Sequence, residues 1–217
     1  MGIPERKERE KEQRRNDIID AAERVFFRKG IANSTMDEVA EEAELSKGTL
    51  YLYFLSKEDL HFAICMRGLD IMAAELRKAF RDDITGAENA METAEVYLRF
   101  VRKYHAYFDA IMSFESSGLD KVNPVHHHQI LQPESPLMVF VRVIEKGGRD
   151  GTIRQDIPPK ELAVILWSQI NGVLQFLRHK SDFLDMLGCT ADDMVTHHLQ
   201  IIRNGIIRNT QRDGHSE

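Results

Sequence analysis

Three helix-start signals stand about ten residues apart, at Thr35, Ser46 and Ser56. Thr35-Met-Asp-Glu38 has the pattern of a capping box, a hydroxyl at the helix start and a carboxylate three residues on. Ser56 with Asp59 follows the same logic. Starts so close together leave room for only two turns of helix between them, so this part of the chain is predicted to fold as helix, turn, helix and then a longer helix. Upstream, Ile18, Ala22, Val25 and Phe26 recur at helical spacing, Arg28 and Lys29 occupy a last turn, and Gly30 is a natural stop. A helix is therefore predicted over 5–29. Its first dozen residues alternate charge without an apolar stripe and are expected to fray or stay disordered.

Further along, helical periodicity predicts helices over 56–81, over 86–117 with a break near Tyr104, and over 137–147, 160–179 and 191–209. The segment 123–136, NPVHHHQILQPESP, holds three prolines and reads as a loop. No strand-period alternation of useful length occurs. The fold class is all-α, with about nine helices. It divides into a three-helix helix-turn-helix domain over 1–60 and a larger helical domain over 61–217. No apolar run approaches the roughly 18 residues needed to span a bilayer, and LAVILW at 162–167 is among the longest. The N-terminus is too charged for a secretory signal, and Arg6 stands where a myristoylation pattern requires Ser or Thr. The two cysteines, Cys65 and Cys189, then point to a cytoplasmic chain with reduced thiols, one disulfide remaining open.

The net charge of −6 argues against a generally basic nucleic-acid coat protein. Residues 1–57 hold 11 Lys and Arg against 12 Asp and Glu, so even this end is not net basic. Any contact with nucleic acid must come from a few placed donors. Leu45, Leu50 and Phe54 take inward positions, facing Val39 and the small Ala40. The helix starting at Ser46 then turns Lys47, Gly48, Thr49, Leu52 and Tyr53 outward. A DNA major groove suits that face. Lys47 can donate to guanine O6 or N7, Thr49 offers a hydroxyl and a methyl, and Leu52 can meet a thymine methyl. Gly48 lets the backbone come close. Tyr51 and Tyr53 can donate to phosphate, Lys57 adds a cation at a helix start, and Thr35 can serve the same role at the other end. An ordinary helical bundle with half-buried tyrosines fits the same spacing.

The run from AAERVFFRKG through STMDEVAEEAELSKGTLYLYFLSKEDL decides between the two. It resembles the DNA-binding domain of the TetR (tetracycline-repressor-like) family of bacterial transcriptional regulators. The shared pattern is a helix ending in Phe and Gly, a Thr-started helix with an Ala pair, then Ser-x-Gly-Thr-Leu-Tyr-x-Tyr-Phe and Ser-Lys-Glu-x-Leu. It covers roughly residues 15–60, about a fifth of the chain. The resemblance implies base contacts from Lys47, Gly48 and Thr49, with Leu52 weaker, and phosphate contacts from Thr35, Tyr51, Tyr53 and Lys57. It departs from the family at Glu44, where Gly is usual; a turn residue at positive φ costs a non-Gly residue roughly 1 kcal/mol.

The same resemblance implies a homodimer on a palindromic operator in double-stranded DNA. The expected interface is a four-helix arrangement of the last two long helices. One stripe is Leu162, Ile165, Leu166, Ile170, Val173, Phe176 and Leu177; the other is Val195, His198, Ile201, Ile202, Gly205 and Ile206. Burial within the chain's own fold is the alternative for both. An apolar small-molecule effector is expected among Tyr104, Phe108, Met112, Phe114, Met138, Trp167, Asn171 and Gln175, with Arg99 and Glu115 as further polar contacts. These residues suit an ordinary core equally well. His126, His127 and His128 are adjacent in a loop and seldom could aim at one ion, so no metal is assigned. No cofactor is expected. No nucleophile–base arrangement or phosphate-binding Gly loop occurs, so the chain is not read as an enzyme. The expected function is a ligand-released repressor. An activator or ligand-independent DNA binder of the same fold, or a helical protein-interaction module, are the alternatives.

Overall fold

The computed structural model describes residues 3–117 and 132–207. Ten helices occur among them: α1 (Ile3–Lys29), α2 (Met36–Glu42), α3 (Lys47–Tyr51), α4 (Lys57–Ala79), α5 (Gly86–Lys103), α6 (His105–Ser117), α7 (Pro136–Arg149), α8 (Pro159–His179), α9 (Ser181–Leu187) and α10 (Ala191–Ile206). The one β-type contact among the described residues is an isolated bridge between Ile153 and Ile207. The all-α expectation holds, and the break at Tyr104 falls between α5 and α6. The short α9 is additional to the sequence reading. No helix among the described residues is long and apolar enough to cross a membrane. His126, His127 and His128 lie outside the described residues.

The described residues form two compact units, the first holding those up to Ile71 and those from Val101 through α6. Its core is built by the predicted α1 stripe. Ile18, Ile19, Ala22, Val25 and Phe26 pack with Val39 and Ala40 of α2, Leu50 of α3, and Leu60, Ala63 and Ile64 of α4. Because α4 contributes to this core, the unit extends beyond residue 60. Gly30 ends α1 at φ 77°, a conformation glycine adopts without strain. The first turns of α1 are helical, contrary to the fraying expected from their missing apolar stripe. Four-residue pairs line them, Arg6 Nε donating to Glu10 at 2.7 Å and Gln13 Nε2 to Asp17 at 2.8 Å. Each such pair contributes about 0.2–0.5 kcal/mol.

Within this unit α1, α4 and α6 share a polar clamp. Arg67 of α4 donates to Asp20 at 2.6 Å and to Glu23 at 3.0 Å, and the Tyr107 hydroxyl of α6 donates to Glu23 at 2.7 Å. Burial, then the Glu23 carboxylate, pushes the Tyr107 phenol well above its ordinary range. The buried His61 of α4 lies 2.9 Å from the Ala110 carbonyl through Nε2. A carbonyl only accepts, so Nε2 carries the proton. Burial lowers the pKa of this ring and keeps it neutral.

The second unit comprises Met72–Phe100 and the described residues from Gln132 onward. Ala87 of α5, Val141 and Ile144 of α7, Leu162 and Ala163 of α8 and Ile206 of α10 share its core with Ile153. The end of α7 caps the start of α5. Asp150 Oδ2 accepts from Gly86 N at 2.6 Å, and Thr152 Oγ1 accepts from Ala87 N at 3.1 Å. This geometry needs glycine: a Cβ on Gly86 would lie 2.1 Å from the Gly147 backbone.

Candidate nucleic-acid interface

Hydroxyl caps build the surface formed by α2 and α3. Thr35 Oγ1 accepts from Glu38 N at 3.3 Å, and Thr35 N donates to Glu38 Oε2 at 2.9 Å, so both halves of the predicted capping box exist. Lys29 also donates to Glu38. That contact and the Thr35 N–H hold the Glu38 carboxyl below its ordinary pKa. Ser46 caps α3, its Oγ accepting from Thr49 N at 3.2 Å and lying 2.8 Å from the Thr49 hydroxyl. The turn between the helices places Glu44 at φ 55°, the one non-glycine with positive φ among the described residues. Leu45 N donates to Ala40 O at 2.9 Å across that turn.

Leu50 of α3 is wholly buried and Phe54 nearly so, which fixes the opposite face outward. Lys47 and Gly48 are exposed, Leu52 is 82% exposed and Tyr51 is 38% exposed. Thr35 and Ser46 are exposed, and Thr49 is half-buried. Tyr53 differs from its outward assignment: it is half-buried and packs against the first core, because α3 ends at Tyr51 and the chain turns back toward Phe54. Lys57 is also half-buried, and its Nζ donates to Ser34 O at 3.0 Å, tying the start of α4 to the α1–α2 turn. Lys47 Nζ contacts Asp37 Oδ1 at 2.7 Å. That hydrogen bond raises the Lys47 pKa and keeps the ammonium charged. The sequence reading does not pair Asp37 with Lys47. It also overlooked Leu55, which is 78% exposed just after Phe54.

The expected effector residues are divided between the two units. Phe108, Met112 and Phe114 are buried in the first unit, where Phe114 packs edge-on to His61 at 5.5 Å, and Tyr104 is half-buried there. Met138, Trp167, Asn171 and Gln175 belong to the second unit. Trp167 alone of the eight lines a cavity of about 60 Å³ among α5, α7, α8 and α10. Gln175 is exposed, Asn171 is buried, and Met138 packs against the second core. Arg99 is exposed, and the Glu115 side chain lies outside the described residues. The sequence reading omitted Tyr97 and Phe140 from this cavity. Ala90, Ala94 and Tyr97, spaced along one face of α5, were the available signal.

The two apolar stripes are divided. Leu162, Ile170, Val195 and Ile206 are buried within the chain. Leu166, Val173, Leu177, His198 and Ile202 are half-buried, and Gly205 is exposed. Ile165 is 43% exposed, Phe176 37% and Ile201 70%, and Val164, Phe183 and Met186 extend the exposed apolar surface.

Residues 18–64 match the family described as bacterial regulatory proteins, tetR family, a segment that covers α2 and α3 and parts of α1 and α4. The uncharacterized HTH-type transcriptional regulator YfiR of Bacillus subtilis is 28% identical over 179 residues, 76% of this chain and 80% of its own. The HTH-type transcriptional activator FasR of Mycolicibacterium smegmatis is 31% identical over 91 residues, 42% of each chain. Among solved structures, SmeT, the repressor of the Stenotrophomonas maltophilia multidrug efflux pump SmeDEF, matches with a TM-score of 0.65 at 18% identity, over 90% of this chain and 91% of its own. SmeT is also known in complex with triclosan, a structure that matches with a TM-score of 0.57 at 20% identity, over 91% of this chain and 93% of its own. At these identities the structural likeness speaks for the fold alone. The relatives named are transcriptional regulators, not enzymes. With capped α2 and α3 over a common core, residues 18–64 form a DNA-binding segment of the kind that marks the tetR family of bacterial regulatory proteins, and the chain as a whole is similar to regulators of the helix-turn-helix type.

Proposed function

We propose that the chain is a cytoplasmic, homodimeric repressor that binds a palindromic operator and leaves it when a small apolar effector binds. Residues 1–60 read DNA, and residues 61–217 dimerise and bind the effector. The observation that carries this reading is the exposed face of α3, Lys47, Gly48, Tyr51 and Leu52, held outward by buried Leu50. Lys47, Gly48, Thr49 and Leu52 contact base edges. Thr35, Tyr51, Tyr53 and Lys57 contact phosphates, and Ser46 holds the N-terminus of α3 in place. One such helix reads only a few base pairs, so two copies related by a twofold axis are required. The exposed part of the α8 and α10 stripes supplies a self-complementary apolar surface for that pairing. The residues of α4 fall in both units, which makes this helix the covalent route for a population shift between DNA-competent and incompetent states.

The test is operator binding. Selection of bound genomic fragments identifies the operator, and mobility shift then measures Lys47→Ala combined with Tyr53→Phe, which keeps the half-buried ring and removes only its hydroxyl. Specific affinity should fall at least about tenfold, with helicity and oligomeric state unchanged. A double variant that shifts the operator as well as the parent overturns the assignment. The likeness to FasR, named as an activator, favours a second reading in which the same contacts recruit transcription. A reporter that falls rather than rises on deletion of the gene selects it.

A further inference from the structure

The cavity in the second unit has an unusual polar neighbour. Its lining is apolar, and Met91, Ala94, Tyr97, Phe140 and Trp167 are among its walls. The three rings form one cluster, with centroids 5.3 Å apart for Tyr97 and Trp167, 5.5 Å for Phe140 and Trp167, and 6.2 Å for Tyr97 and Phe140. The Tyr97 hydroxyl donates to Asn171 Oδ1. Asn171 is 4% exposed, one helical turn beyond Trp167 and adjacent to Ile170, another wall residue. Among the described residues its Nδ2 has no hydrogen-bond partner. Turning the amide over only moves the orphan to the oxygen. Asn89, equally buried in the same unit, shows the contrast. Its Nδ2 donates to Arg81 O at 2.8 Å and Thr85 O at 3.1 Å, and its Oδ1 accepts from Arg81 N at 2.9 Å. A buried amide atom left unpaired keeps the cost of losing its water without a bond in return, so its retention in a native chain calls for an explanation.

The chemistry of the walls narrows the ligand. Among the described residues no carboxylate lines the cavity. The rings touch one another, whereas a cation held between two faces needs them apart by roughly twice the cation–ring distance of about 5–6 Å. A quaternary ammonium therefore does not fit. A neutral aromatic ring does, stacked into the cluster in place of a lost contact. Its polar group must serve an amide whose free atom is a donor or, turned over, an acceptor. A phenolic hydroxyl does both. The cavity is smaller than the roughly 150 Å³ hole that holds benzene, so entry requires a side chain to move, and unbranched Met91 is suited to that.

We propose that this cavity binds a small neutral phenol, its ring against Tyr97, Phe140 and Trp167 and its oxygen on the Asn171 amide. The proposal rests on the effector reading above and names the chemical class of the effector. Trp167 is the only tryptophan in the chain, so its emission reports the site directly. Titration of the full-length protein with p-cresol and with toluene, its counterpart lacking the hydroxyl, separates ring from oxygen. Trp167 emission should change with both, p-cresol binding about tenfold more tightly, the increment of one good buried hydrogen bond. Asn171→Leu, close in volume, should erase the tenfold difference while toluene binds as before. Ala94→Leu should abolish the response to both by filling the space. If either variant fails to fold by circular dichroism, the comparison of the two ligands on the parent chain decides alone. Equal affinities, or no emission change with either ligand, overturn the proposal. A parallel operator mobility shift keeps the two readings apart. Release of operator by p-cresol with unchanged Trp167 emission sinks this site and leaves the effector reading standing. An emission response with operator still bound leaves the site standing and sinks phenol as the effector.

Discussion

Glu44 is the one described non-glycine residue in the left-handed region of backbone space. At φ 55° its Cβ crowds the following carbonyl, in a turn the family usually gives to glycine. Glu44→Gly should raise stability by about 0.5 kcal/mol, the relief of strain exceeding the extra chain entropy of glycine. Thermal denaturation checks this, and a lowered midpoint would contradict it. Asp37 acts on a neighbour instead. Its carboxylate holds Lys47 Nζ at 2.7 Å on the surface assigned to DNA. A phosphate backbone repels that carboxylate and competes for the ammonium. Asp37→Asn should strengthen binding to random duplex DNA and steepen its log–log salt dependence by about 0.9, one more cation being available to phosphates. Fluorescence anisotropy across a salt series measures the slope. Glu44 was legible in the sequence because a family pattern marked the departure. The pairing of Asp37 with Lys47 was not, since ten residues and a turn separate them and only the packing of α2 on α3 brings them together.

Helix boundaries follow local chemistry where caps are strong. Thr35 and Ser46 cap α2 and α3 as their spacing predicts, because each hydroxyl has an orphan N–H three residues on. α9 escaped notice because its seven residues, SDFLDML, are too few to establish a period. The junction of α5 and α7 was equally hidden. Gly86 and Gly147 let the two helices approach until backbone meets backbone, and two side chains from the α7 end cap the α5 start. Gly86→Ala would place a methyl 2.1 Å from the Gly147 backbone, where no rotamer change can relieve it. It should destabilise the chain by about 3 kcal/mol, the upper part of the overpacking range. Urea denaturation measures the loss. A variant within about 0.5 kcal/mol of the parent would mean the helices separate freely there.

For the molecule as a working regulator, the exposed apolar surface of α8, α9 and α10 is the feature that asks for a partner. Ile201 at 70% exposure, with Ile165 and Phe176, is apolar surface that a monomer would leave in water. In the proposed dimer a charge there is desolvated without a counterion. Ile201→Asp should shift the chain to monomer at micromolar concentration, read by sedimentation, and reduce operator affinity by at least about a hundredfold, since half-sites would bind singly. Unchanged sedimentation would remove this face from the interface.

The all-helical class, the caps of α2 and α3 and the outward set at Lys47, Gly48 and Leu52 were all readable from residue order. Each depends on groups within a few positions of one another, and helical period and capping are local rules. The partner of Lys47, the half-burial of Tyr53 and Lys57, the close approach at Gly86, and the split of the effector candidates between two cores came only from the folded chain. The same holds for the orphan amide of Asn171 beside an aromatic cavity. These depend on which helices meet, and at what distance. That is set by side-chain volumes summed over a whole core, and apolar periodicity identifies a buried face without naming what lies against it.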